Sequence, residues 1–148
     1  MFLERILPFA FALLLLACQE PISITPMTGA TNVRFCDLLS RPDAPDKKLI
    51  RVSGIFVDAF EYTCLRDPDC KGEAWIRFDP DMKNHTDRKL MDQLSWKSSR
   101  GVECKVVFIG FVEGPLPAAS LKRSNMLGYG HMGSFPLQIT VQSIESVD

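Results

Sequence analysis

The sequence predicts a mainly β domain that closes into a small barrel, with one helix set between strands. Three observations carry this. The longest strand pattern, Lys48 to Tyr62, changes apolar phase at a glycine: Ile50, Val52 and Gly54 share one parity, Ile55, Val57 and Ala59 the other. A β-bulge produces such a switch, and long bent strands are how small sheets close. Residues Cys104 to Glu113 are apolar at nearly every position, the mark of a central strand covered on both faces. The one long helical pattern, 84–97, falls between these two strands, with Leu90, Met91 and Leu94 as a narrow apolar stripe.

The remaining elements follow in chain order. Cys36-Asp37-Leu38-Leu39-Ser40 reads as a short helical turn, ended by Pro42 and Pro45. After the long strand, Glu73 to Asp79 places Ala74, Ile76 and Phe78 inward and Trp75 and Arg77 outward, until Pro80-Asp81 stops it. A further strand is expected between 60 and 80 as its hairpin partner. Asn84 or Thr86 is positioned to cap the helix. Gly114-Pro115 ends the two-sided strand and a loop runs to Pro136. Leu137, Ile139 and Val141 then alternate with Gln138, Thr140 and Gln142 in a closing strand.

This order, with Arg51-Val52-Ser53-Gly54 in the first long strand, Cys104–Gly110 after the helix and Leu137–Ile144 last, resembles the oligonucleotide/oligosaccharide-binding (OB) fold. The resemblance covers about 36–146 and implies five strands, with the helix between the third and fourth. The chain also resembles small exported bacterial proteins that pair an Asp-Leu-Leu turn, here Asp37-Leu38-Leu39, with a glycine-containing strand. That likeness implies no activity.

The N-terminus carries a different message. Glu4 and Arg5 precede an apolar run from Ile6 to Ala17, twelve residues long. That suits a signal-peptide core and falls short of the roughly 20 residues that span a bilayer. Leu15-Leu16-Ala17-Cys18 resembles the lipobox of bacterial lipoproteins, in which the cysteine is acylated, palmitate included, and becomes the new N-terminus. The resemblance implies a signal peptide over 1–17, a lipidated Cys18 with a flexible tether over 18–34, and a domain over 35–148. It implies attachment to the bacterial envelope, at the outer membrane and facing the periplasm.

Cysteine parity agrees. Five cysteines leave one unpaired in an oxidising compartment, and assigning Cys18 to lipid leaves Cys36, Cys64, Cys70 and Cys104. Three connectivities are open. Cys64–Cys70, closing the loop around Asp67-Pro68-Asp69, is the favoured pair and leaves Cys36–Cys104. The net charge of −1 gives no electrostatic reason to seek polyanions, and Lys122-Arg123 is too small a basic spot for a nucleic-acid footprint, so nucleic acid is not an expected partner.

Chemical motifs are few. Gly128-Tyr129-Gly130-His131-Met132-Gly133 matches G-x-G-x-x-G but leads into a strand, whereas a dinucleotide fingerprint opens a helix. Its two readings are a ligand mouth, with Tyr129, His131, Phe135 and Trp75 as candidate binding residues, and a turn whose glycines let the chain pass close to the sheet. Cys64, Cys70, His85 and His131 lack the spacing of a zinc site, and C-x5-C is unlike the redox C-x-x-C. Asp67, Asp69 and Gly72 begin a calcium-loop pattern that Lys71 and Phe78 break. No G-x-S-x-G is present. Glu61 and Glu73 read as solvated acids. No cofactor, metal or catalytic residue is therefore assigned. The expected function is a non-catalytic binding or structural module, anchored by lipid and meeting an envelope protein, a glycan or a small ligand. The alternative is a small envelope hydrolase using His131 and a nearby carboxylate.

Overall fold

The computed structural model describes residues 24–40, 47–116 and 128–148. The signal segment, Cys18, Pro42, Pro45 and Lys122-Arg123 lie outside them. The elements in chain order are β1 (Thr31–Asn32), α1 (Phe35–Ser40), β2 (Leu49–Ala59), β3 (Tyr62–Arg66), β4 (Glu73–Phe78), α2 (Arg88–Ser98), β5 (Cys104–Glu113) and β6 (Leu137–Val147). The sheet runs β2-β3-β4-β6-β5 and closes by a β2–β5 pairing, with β1 added parallel to β2. All neighbours in the closed ring are antiparallel except β4 and β6. This is an OB-like five-stranded barrel, and α2 falls between its third and fourth strands.

Alternation builds the interior. Ile50, Val52 and Phe56 of β2, Ala74 and Ile76 of β4, Val106, Phe108 and Val112 of β5 and Leu137, Ile139 and Val141 of β6 are all buried in one core. Each large apolar side chain taken fully out of water contributes about 1.5–3 kcal/mol. Phe56, Phe78 and Phe108 meet edge to face, with centroids 5.7–6.0 Å apart, and Phe78 is partly buried. The hairpin partner of Glu73–Phe78 is β3, as expected, in the register Cys64↔Trp75.

The bulge expected at Gly54 is not there. The β2–β5 register is unbroken from Leu49↔Phe111 to Phe56↔Cys104, and inward parity continues through Gly54 to Phe56. Gly54 is needed for a different reason. A Cβ on it would lie 2.8 Å from the Leu65 side chain and 2.9 Å from the Arg66 carbonyl oxygen, so its bareness admits β3. The irregularities fall in β6, where Glu145 and Gln142 are extra residues between the pairs Val107↔Ser146, Phe108↔Ile144, Ile109↔Ser143 and Gly110↔Val141. There the β6 backbone comes so near that a Cβ on Gly110 would stand 2.6 Å from the Thr140 oxygen.

The two-sided apolarity of β5 has a specific cover. Arg51 of β2 and Glu145 of β6 form an ion pair that reaches across β5. Ile109, in register with Arg51 on one side and Ser143 on the other, is 3 % exposed on that outer face.

Two local expectations change. The cap of α2 is Asp87, whose carboxylate accepts from the Lys89 N–H at 2.7 Å. Thr86 is buried and accepts from the Ile144 N–H instead, tying the helix approach to β6. A 3-10 turn over Pro80–Asn84, capped by Asp79, fills the start of the predicted helix. The hydrogen bond from Gln142, with that from the Asp81 N–H, holds the Asp79 carboxyl below its ordinary range.

The segment from Ile24, read as part of the tether, is in contact with the barrel. The carbonyl oxygen of Thr25 lies 3.0 Å from His85 Nδ1, Thr31–Asn32 pair with β2, and the Val33 N–H donates to the Arg51 carbonyl at 3.0 Å. The folded unit therefore begins before the expected boundary at residue 35. Among the described residues, no helix is long and apolar enough to cross a membrane.

Candidate binding face on the β3–β4 hairpin

The outer face of the β3–β4 hairpin is set by the same parity that builds the core. With Leu65, Ala74 and Ile76 pointing in, Tyr62, Cys64 and Arg66 of β3 and Glu73, Trp75 and Arg77 of β4 share the outside. The segment after the long loop lies down on this face. Tyr129 and Phe135 exchange backbone hydrogen bonds of 2.8 and 3.2 Å, and Phe135 is buried between Tyr62 and Trp75 at centroid distances of 5.5 and 5.4 Å. Of the candidate binding residues, Trp75, Tyr129 and Phe135 are thus brought together.

The glycines explain how. Gly130 has φ +69, and a Cβ there would stand 2.3 Å from the Trp75 ring, so bare backbone caps the indole. A Cβ on Gly128 would lie 2.1 Å from the Gly133 oxygen. The close-passage reading of this motif is the one found. It leads through a short turn into β6, with no helix to receive a pyrophosphate.

His131 stands to the side of the cluster. Its Nε2 is 3.5 Å from Glu61 Oε2 at the β2–β3 turn, an ion pair whenever the imidazole is protonated, and both side chains are about half exposed. The Ser134 hydroxyl donates to the His131 carbonyl, not to its ring.

Beside the cluster lies an open groove of about 610 Å³ lined by Tyr62, Arg66, Glu73, Phe135 and Pro136. The Tyr62 hydroxyl donates to the Glu73 carboxylate, and burial followed by that bond holds the phenol well above its usual range. Arg66 reaches Glu103 at 2.6 Å, which raises the guanidinium further. A second groove of about 940 Å³, lined by Asn32, Arg34, Arg51, Ile55 and Lys105, runs along β2. Asp67 and Pro68 line both, so the β3–β4 turn is a ridge between them.

That ridge is pinned, and not as the spacing suggested. Cys36 is bonded to Cys70, joining α1 to the turn, while Cys64 and Cys104 are buried free thiols. The expected Cys64–Cys70 and Cys36–Cys104 pairs are both replaced. Parity keeps the two free thiols apart. Cys64 lies opposite Val57 on the outer face and Cys104 opposite Phe56 on the inner face. Cys70, at the far end of the turn, leaves the sheet and meets α1 instead. Burial pushes the Cys64 thiol up to about 11, and raises Cys104 as well, so neither is poised as a nucleophile. Asp67 brings a carboxylate oxygen within 4.8 Å of the Cys36 and Cys70 sulfurs, but the disulfide uses both sulfurs.

Tyr62 and Arg66 were not singled out from the sequence, and Glu73 was read there only as a solvated acid. The signal was present: once Trp75 is outward and paired with a hairpin strand, alternate residues of that strand must share its face. No protein-family model, no curated protein and no solved structure matches this chain.

Proposed function

We propose that the chain is a lipid-anchored envelope protein whose barrel is a non-catalytic binding module, with the Tyr62–Glu73–Phe135 groove as its ligand face. The observation that carries this reading is the pairing of an aromatic surface with a carboxylate and a guanidinium in one open groove. An aromatic wall takes the C–H face of a pyranose or another flat apolar group, and the charged groups take its hydroxyls. A glycan is the ligand class this chemistry favours. The OB-like topology supports it, because ligands of that fold meet the same face. The lipobox resemblance at Cys18 supports the anchor.

The test is a titration with chitotetraose and maltotetraose, followed by tryptophan fluorescence. Saturable binding by the parent chain, lost in Tyr62→Ala, supports the reading. Equal binding by parent and variant, or none, removes the groove as the ligand face. Labelling cells with a fatty-acid analogue tests the anchor, since Cys18→Ser must abolish the label.

The hydrolase alternative keeps one observation, the His131–Glu61 pair. Hydrolysis of a bound oligosaccharide that is lost in His131→Ala would favour it over simple binding.

A further inference from the structure

We infer that the space between α2 and the end of the barrel is a second ligand site, for a small organic amine with an apolar body. It is independent of the groove, which lies on the outside of β3–β4. The helix face turned to the barrel carries Met91, Leu94, Ser95 and Ser98. At this spacing an ordinary amphipathic helix continues its apolar stripe, but here the stripe stops in two serines. Leu94 is the one buried residue of α2, and an open cleft of about 180 Å³ remains beyond it. Its walls are Phe56 and Phe78 from the barrel, Met82 from the 3-10 turn, and Ile144 from β6. Aromatic rings and thioethers make an adaptable lining that also tolerates a cation at its edge.

Asp58 gives the cleft its chemistry. It follows Phe56 on the inward parity of β2, so its carboxylate faces the barrel end. Among the described residues it is the only ionisable one lining this cleft. One oxygen accepts from the Thr63 hydroxyl at 2.8 Å and the other from the Ser98 hydroxyl. A carboxylate has about four acceptor positions, so these two donors fill about half of them and, among the described residues, no basic side chain pairs with the charge. An ammonium group supplies both missing donors and the opposite charge. The volume sets the body. An enclosed apolar cavity of about 150 Å³ holds a benzene ring, so an open cleft of similar size seats one face of a single ring with its aminomethyl arm toward Asp58.

The probe is benzylamine, compared with the nearly isosteric benzyl alcohol, in the full chain carrying ¹³C-methyl methionine. Benzylamine is expected to shift the methyl signals of Met82 and Met91 and leave that of Met132, on the other loop, in place. Benzyl alcohol is expected to bind about tenfold more weakly, the worth of one charge-assisted contact. Asp58→Asn is expected to erase that difference, and Leu94→Phe, which fills the space, to abolish both responses. If neither compound moves Met82 and Met91 at millimolar concentration, there is no site. If amine and alcohol bind alike in the parent, the assignment to amines is overturned, and this holds even if the Asp58 variant fails to fold.

Discussion

Two aromatic triads sit on opposite faces of the same wall. Inside the barrel are Phe56, Phe78 and Phe108; outside are Tyr62, Trp75 and Phe135. Ring separations are similar, 5.7–6.0 Å within and 5.4–5.5 Å without. What differs is the lid. The inner three point inward by strand alternation, with Phe56 and Phe108 buried and Phe78 partly buried at the barrel end. In the outer three, Phe135 is delivered onto Tyr62 and Trp75 by a segment that depends on Gly130 having no side chain. Comparable aromatic attraction therefore serves two ends: the inner cluster holds the fold, and the outer one docks the loop segment beside an open groove.

The largest expected effect breaks the inner triad. Phe108→Ala should cost about 3–5 kcal/mol in urea unfolding, because the closed barrel cannot collapse into the void. Phe135→Ala should cost less, about 2–3 kcal/mol, since the overlying loop can settle into the space. Equal costs would mean that the outer cluster is part of the core.

The next change loosens the ridge beside the outer triad. Cys36→Ser should lower stability by about 4 kcal/mol in the chain-entropy account of a loop of this length, and mass mapping should place the native bridge at Cys36–Cys70. Recovery of a Cys64–Cys70 peptide would overturn the Cys36–Cys70 bridge.

Smaller again is Gly130→Ala. The side chain meets Trp75 and the backbone stands at φ +69, so a loss of about 1–3 kcal/mol is expected. A change in Trp75 fluorescence should accompany it while the far-ultraviolet circular dichroism of the barrel persists.

The smallest effect is alkaline. The Cys64 thiol ionises near 9.0 when exposed and near 11 when folded. Its contribution to stability is whole below pH 9 and is lost as pH rises toward 11, because the unfolded chain gives up the proton first. Tyr62, raised in the same direction, adds to this loss at higher pH. Cys64→Ala should flatten the fall between pH 9 and 11, measured by denaturation midpoints.

Much of the barrel was legible because β-strands advertise burial by parity. Ala74, Ile76 and Phe78, and Leu137, Ile139 and Val141, read directly as inward sets. Gly54 misled because a residue without a side chain has no visible parity. With Phe56 set aside, Ile55 and Val57 took on the look of a new phase, although they are half-buried residues of the outer face. The outer triad was half legible. Trp75, Tyr129 and Phe135 were singled out for their chemistry, yet their meeting depends on a loop path that local sequence does not encode. The disulfide was the least legible. Sequence distance favours a short loop, whereas strand parity, visible only once the register is known, separates Cys64 from Cys104.

The early docking of the N-terminal segment alters what an anchor at Cys18 would do. Five residues separate that cysteine from Ile24, and Thr25 is already against His85. On the lipid-anchored reading the leash is about 20 Å at full stretch, where a tether to residue 34 would have reached about 50 Å. A barrel held so short has little room to roam. Any ligand it captures stays within a few nanometres of the bilayer, so the search becomes a local one, governed by effective concentration at the membrane surface.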